Sequence, residues 1–482
     1  DDRGGDGKAA DSDGDECDAA SPDARRRSLE GGAHREGLAS KQGRAWQALR
    51  ECRDDEPHQD RPRRAMTDAF DAITAQRAAF LASGGGRVCL GNAAGDLDSV
   101  VSALAAAALY GGAALARFPR EDLALRRDAE AALADDDAAA AAAGGAPARA
   151  ALVFGDEAAA APAAACEVVL TDHNAFDGGD ASLAFASPAT VVAVVDHHAD
   201  EGRHADARDR EIDAACGSCC TMLAERLLAR GGEPPARLLA LAFAAVAVDC
   251  RGFAAKHAGL KFSPRDVALG HAVLDALGGD PAPDGSAPAL RGRALPAACA
   301  VLGAATVGDL AKRLLAARKD VSALDAPQLL RLDYKRASAG RLRVGAASIM
   351  APLSDFSRRA GGGAPLGAAL RAFAAKSGVD VLFAMTAAEQ GAKGLAYVAR
   401  DGAVDAAALE RRLEAAPEGL PGDLAALPLF ATQRVTTDGF GLAFGGLLGD
   451  ADGAPRCSRL RADITRKTVL PFVLHVLGEL AA

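Results

Sequence analysis

Three short apolar runs in the first half of the chain each stop at a group of acidic side chains, two of them joined by histidines. Arg87–Gly91 leads into Asn92-Ala-Ala-Gly-Asp96-Leu-Asp98-Ser99. Glu167–Thr171 ends at Asp172-His173-Asn174, and Thr190–Val195 ends at Asp196-His197-His198. A fourth apolar run, Leu238–Val248, ends at Asp249. Short, uninterrupted apolar runs are expected of parallel strands covered on both faces. Ala151–Phe154 reads as a further strand, and Asp122–Leu133 and Ser218–Arg230 as helices between strands. The alternation predicts an α/β domain with a doubly wound, mainly parallel sheet. In such a sheet the carboxyl ends of the strands share one edge, where ligands bind. Five carboxylates and three imidazoles would then meet at that edge.

Crowded carboxylates repel one another and raise each other's pKa unless a cation joins them. Carboxylate oxygens with one or two imidazoles suit Mn²⁺ or Mg²⁺ better than a thiolate-seeking metal. Two such cations sharing a bridging carboxylate form a clamp for in-line attack on phosphorus by a bridging hydroxide. Each motif alone has a plainer reading. Asp-x-Asp at a helix start is usually a cap, with Asp98 or Ser99 able to cap the helix that follows. Paired histidines after a strand are usually surface residues. Their joint occurrence at three strand ends favours a metal site.

The rest of the chain sets limits. Its 482 residues allow two or three domains. A net charge of −10 argues against general nucleic-acid binding. The ten cysteines lack regular spacing, and the CxxC at Cys216–Cys219 has no partner pair to complete a zinc site. Scattered reduced thiols fit a cytoplasmic protein. The chain opens on Asp1, so a lost targeting peptide stays open as a reading. The uncharged run from Ser99 to Ala116 reads as a buried helix and a Gly turn, not a membrane span. Residues 1–65 are charged and poor in large apolar side chains, which predicts a disordered extension. A first domain is expected over 66–285, a linker over 286–324 and a smaller α/β domain over 325–482. In that second domain, strands are expected at Arg341–Met350, Val379–Thr386 and Gly394–Ala399. Helices are expected at Pro365–Lys376, Asp405–Ala416 and Thr465–Leu480. The Ala run at 138–143 reads as a loop insertion.

Gly91–Ser99, Thr171–Asn174 and Val195–His198 resemble, in order, the first three motifs of the DHH phosphoesterases. Gly217–Glu225 resembles the Gly-Ser helix start that follows them. Asp249-Cys-Arg-Gly-Phe253 with Lys261–Asp266 resembles the fourth acidic motif. Phe118–Arg126 is similar to a segment of the exopolyphosphatase and prune branch. Leu332–Lys335, Val344–Ile349 and Thr465–Pro471 resemble the DHH-associated second domain, so the likeness covers residues 66–480. The resemblance implies an active site in the cleft between two domains, holding two divalent cations, Mg²⁺ or Mn²⁺. Asp96 and Asp98 would hold one cation each and Asp172 would bridge them. His197 and Asp249 would complete the second cation's ligands. Asp196 would support or contact the metal site, and His198 would contact substrate phosphate and help protonate the leaving oxygen. Lys335, Arg466 and Lys467 would grip the phosphate chain, with Asn92 also facing substrate. His173 and Asn174 are read either as groups orienting the ligands or as turn residues.

Family II pyrophosphatases carry His where this chain has Asn92, and animal prune proteins tend to carry Arg where it has His198. Both departures point to an exopolyphosphatase acting on short inorganic polyphosphate through a metal-bound hydroxide. The alternatives are a pyrophosphatase, a prune-like nucleotide phosphodiesterase, or a non-catalytic interaction protein using residues 1–64 as a docking arm. No nucleic acid or membrane partner is expected.

Overall fold

The computed structural model describes residues 69–176, 186–230, 233–389, 391–405, 408–409, 412, 456–461 and 466–481. The expected extension at 1–65 and most of the expected helix at Asp405–Ala416 lie outside the described residues. The first half holds β1 (Gly86–Leu90), β2 (Ala113–Ala116), β3 (Leu152–Phe154), β4 (Ala164–Thr171), β5 (Ala186–Asp196) and β6 (Asp209–Ile212). They form one sheet in the order β3-β2-β1-β4-β5-β6, and every pair is parallel. The chain winds outward in both directions from β1 and β4, so the switch point, where such sheets bind ligands, lies between them.

The uninterrupted apolar character of the strands has a direct cause. Val88, Leu90, Val168, Leu170 and Val194 bury into a core on one face of the sheet. Their neighbours Cys89, Val169 and Val195 bury into the larger core on the other. That larger core is built from α1 (Ala69–Ser83), α2 (Leu97–Tyr110), α3 (Arg127–Ala143), α4 (Cys219–Ala229), α5 (Ala236–Asp249) and α6 (Pro264–Ala276). The run from Ser99 to Ala116 is a buried helix, a Gly111-Gly112 turn and then β2. Among the described residues no helix is long and apolar enough to cross a membrane.

Three local readings are corrected. The Ala run at 138–143 is the end of α3 and not a loop, as the helix propensity of Ala requires. The expected helix at Asp122–Leu133 is instead a 3₁₀ turn, Arg120–Leu125, followed by α3. Asp96, not Asp98 or Ser99, caps α2, its carboxylate accepting from the Ser99 amide at 3.2 Å.

Between the halves, α7 (Val307–Lys319) buries Val307, Leu310 and Leu314 in the first core. The second half begins with α8 (Ala326–Leu332). Its sheet comprises β7 (Tyr334–Ala339), β8 (Leu342–Pro352), β9 (Val381–Glu389), β10 (Ala392–Ala399) and β11 (Arg456–Arg461). The order is β11-β10-β9-β8-β7, with β8 and β9 parallel and the other neighbours antiparallel. α9 (Leu353–Ala360) and α10 (Gly363–Lys376) pack on one face of it, and α11 (Arg466–Ala481) on the other. Leu125 of the first half inserts into the core beneath α8 to α10 and joins the halves.

Candidate metal centre

The strand ends do converge. β1 delivers the turn Gly91–Asp96, β4 delivers Asp172 and β5 delivers Asp196, His197 and His198. Asp249 also arrives, but from the carboxyl end of helix α5 and not from a strand.

Asp172 stands at the centre. Its backbone is left-handed (φ 63°), a conformation that costs a residue with a side chain about 1–3 kcal/mol and so needs support. Asn92 Nδ2 donates to the Asp172 carbonyl at 3.0 Å, and the Asp172 amide donates to Val195 O at 3.1 Å. The buried carboxylate accepts from Ser99 Oγ through Oδ2 and meets His197 Nε2 at 3.1 Å through Oδ1. Burial pushes its pKa up to about 7; the His197 hydrogen bond opposes this, and the charges of Asp98 and Asp96 add to it.

Asp98 is 1% exposed, and both of its oxygens accept hydrogen bonds. Oδ1 accepts from Ser218 Oγ at 2.7 Å and the Cys220 amide at 3.0 Å, and Oδ2 accepts from the Cys219 amide at 2.8 Å. It therefore caps α4, where free amides and the helix dipole favour a negative charge. The two acids of Asp-x-Asp thus cap two different helices. His197 Nε2 lies 3.7 Å from Asp98 Oδ2. Hydrogen bonding to Asp172, with the charge of Asp98, overcomes burial and raises the His197 pKa to about 10.

Asp196 is completely buried. Oδ1 accepts from the His197 amide at 2.8 Å, the His198 amide at 3.2 Å and His198 Nδ1 at 2.9 Å. Oδ2 accepts from Asn174 Nδ2 at 2.5 Å. Against the cost of burial, these bonds hold the carboxyl below its ordinary pKa. An ionised carboxylate only accepts, so His198 Nδ1 carries the proton and Nε2 is left for another partner. The Asp196 bond raises the His198 pKa, and the ring is 52% exposed, open to a ligand. Asn174 also receives the Glu201 amide at 2.9 Å, which ties the loop after His198 to the site. His173 turns away: Nδ1 is 2.9 Å from Thr171 O, and burial lowers its pKa to about 4.

Asp96 and Asp249 are linked through a residue that sequence reasoning missed. Arg318, in the last turn of α7, has Nη2 3.5 Å from Asp96 Oδ2, 3.6 Å from Asp249 Oδ1 and 2.5 Å from Asp128 Oδ2. Burial raises the pKa of Asp96 and Asp249, and neighbouring carboxylates add to this while Arg318 opposes it. Asp128 and Arg318 lie far from the motifs in sequence and carry no pattern that would have flagged them.

The other expected substrate groups sit apart. Lys335 is exposed on β7. Arg466 is 2.7 Å from an Asp333 carboxylate oxygen and donates to the Asp333 carbonyl. Among the described residues no hydrogen bond or ion pair joins either to the acidic cluster, and the Lys467 side chain lies outside the described residues. Asn92 is committed to backbone, with Nδ2 on Asp172 O and Oδ1 accepting from the Ala94 amide at 3.0 Å.

Ligand atoms of Asp172, His197 and His198 lie within 4.8 Å of one another. This donor set fits a divalent cation: one carboxylate, two imidazoles, and further carboxylates whose pKa values are raised by burial and then by one another's charge. The CxxC cysteines do not compete. Cys216 and Cys219 are free and buried, and burial raises their pKa, which disfavours the thiolate a metal needs.

The model of the DHH family N-terminal domain matches residues 88–246, and that of the DHHA2 domain matches residues 312–476. No curated protein matches the chain. Among solved structures, a Methanococcus jannaschii protein described as a family II inorganic pyrophosphatase matches at 13% identity with a TM-score of 0.39. That match covers 81% of this chain and 99% of the other.

Proposed function

From a chain that belongs to the DHH family and carries a DHHA2 domain in the same polypeptide, we propose a metal-dependent exopolyphosphatase that removes terminal phosphate from short inorganic polyphosphate. The observation that carries the choice of substrate is Asn92. It occupies the place where family II pyrophosphatases carry His, and both ends of its amide are spent on backbone. It therefore buttresses the strained Asp172 turn and adds no imidazole to the cation site.

A bound pair of divalent cations, Mg²⁺ or Mn²⁺, supplies Lewis-acid polarisation of the phosphoryl oxygens and an acidified water. Asp172, His197, Asp96, Asp98 and Asp249 would hold them. The protein's own contribution is positioning and charge. Asp196 holds the His198 Nδ1–H and raises the ring's pKa, so Nε2 would face a phosphate oxygen and, when protonated, pass its proton to the departing chain. Lys335, Arg466 and Lys467 in the DHHA2 domain would hold the rest of the chain. Arg466 would exchange its Asp333 partner for phosphate, which its planar fork matches. Closure of the cleft between the domains would exclude water.

Phosphate release from pyrophosphate, tripolyphosphate and longer polyphosphate, and hydrolysis of a cyclic nucleotide, each with Mg²⁺ and Mn²⁺, tests the reading. Tripolyphosphate should be turned over fastest. A much faster turnover of pyrophosphate, or of the cyclic nucleotide, overturns it in favour of the corresponding activity.

A further inference from the structure

Arg318 comes from outside the four acidic motifs yet reaches two of them. Its guanidinium is anchored on Asp128, to which Nε donates at 2.6 Å and Nη2 at 2.5 Å. Asp128 is 2% exposed, stands in the first turn of α3 and belongs to no candidate ligand set. The anchor holds Nη2 at 3.5 Å from Asp96 and 3.6 Å from Asp249. α7, which carries Arg318, is packed into the first core, and Arg127 of α3 donates to the Asp320 carbonyl just beyond it at 3.2 Å. The cation is therefore fixed in place by two helices.

We propose that Arg318 is a resident counter-ion of the acidic cluster, a positioning residue that neutralises Asp96 and Asp249 before a cation arrives and weakens the divalent site they form. This rests on the metal-site reading above. Asp128 is what makes the device work. By sharing the guanidinium, it keeps Arg318 at the rim of the cluster. Like charges a few ångströms apart interact by kilocalories even at an effective dielectric near 20, so a fixed guanidinium tells on the affinity for a dication.

The two substitutions that follow act in opposite directions. Arg318→Met removes the competing charge. Metal-stripped full-length protein should then bind Mn²⁺ about tenfold more tightly by calorimetry, while its urea midpoint without metal falls as three carboxylates lose their partner. Asp128→Asn weakens the anchor and lets the guanidinium turn fully to Asp96 and Asp249, so Mn²⁺ should bind about tenfold more weakly. A merely structural role for the Arg318–Asp128 pair would weaken binding in both variants. Unchanged or weaker binding by Arg318→Met overturns the proposal. If that variant does not fold, unchanged or tighter binding by Asp128→Asn does so. Failure of the unsubstituted protein to bind Mn²⁺ at all would instead defeat the metal-site reading itself.

Discussion

Replacing each acid of the Asp-x-Asp motif by its amide separates two jobs that look identical in sequence. In Asp98→Asn the side chain keeps its shape but has one acceptor where four buried donors point. The surviving oxygen can stay on Ser218 Oγ and the Cys220 amide, at 2.7 and 3.0 Å. The new NH₂ then faces the Cys219 amide across 2.8 Å, donor against donor. Losing one charge-assisted bond costs about 1.5–3 kcal/mol, and leaving a buried donor unpaired costs about 1–3 kcal/mol more. The expected loss for the metal-free protein is about 3–5 kcal/mol. Asp96→Asn makes the same chemical change at a 38% exposed side chain that accepts one cap bond, from the Ser99 amide, and a long 3.5 Å contact from Arg318. Asn caps as well as Asp, so the cost should stay below about 1 kcal/mol. Urea unfolding of both variants reads the difference, and hydrogen exchange at the Cys219 and Cys220 amides localises it. Equal costs, or intact protection of those amides in Asp98→Asn, would refute the assignment of Asp98 as the cap of α4.

Two other outcomes follow from the same geometry. His197 has its pKa raised from 6.5 to about 10, so its share of stability is complete below pH 6.5 and is lost as the pH rises through 10. The urea midpoint of metal-free protein should fall across that window, and saturating Mn²⁺ should flatten the fall because bound imidazole is already neutral; a flat metal-free profile contradicts the His197 contacts. Asp266 is fully buried and holds the Gly217 amide at 3.0 Å, Thr221 Oγ1 at 2.7 Å and Ser263 Oγ at 2.8 Å. Asp266→Asn should destabilise by about 2–4 kcal/mol and weaken Mn²⁺ binding, because the loop that grips Asp98 loses its tie; unaltered Mn²⁺ affinity would show that the tie does not reach the site.

What could be read from the sequence depended on how each residue does its work. The runs ending at Asp172 and Asp196 were legible because strands buried on both faces leave few polar residues except at their ends. β8, β9 and β10 were legible for the same reason. β2 was not, since Ala113-Ala-Leu-Ala116 carries no strand preference and continues an Ala-rich helix. β6, Asp209-Arg-Glu-Ile212, is a charged edge strand whose Asp209 and Glu211 pair with Arg226 of α4, an arrangement only the fold reveals. Within the site, the motif residues stand out in the sequence but the capping by Asp98 does not, because its partners at 218–220 lie more than a hundred residues away. Arg318 was hidden for the same reason, being 222 residues from Asp96.

Asp172 is the carboxylate that the fold strains, buries and surrounds with like charge. Phosphate release from tripolyphosphate should be compared in Mn²⁺ for the unsubstituted protein and Asp172→Ala, with urea unfolding confirming that both are folded. The first should release phosphate and the second should lose that release by a factor of about 10³ or more. Comparable phosphate release from folded Asp172→Ala would contradict the metal-site reading.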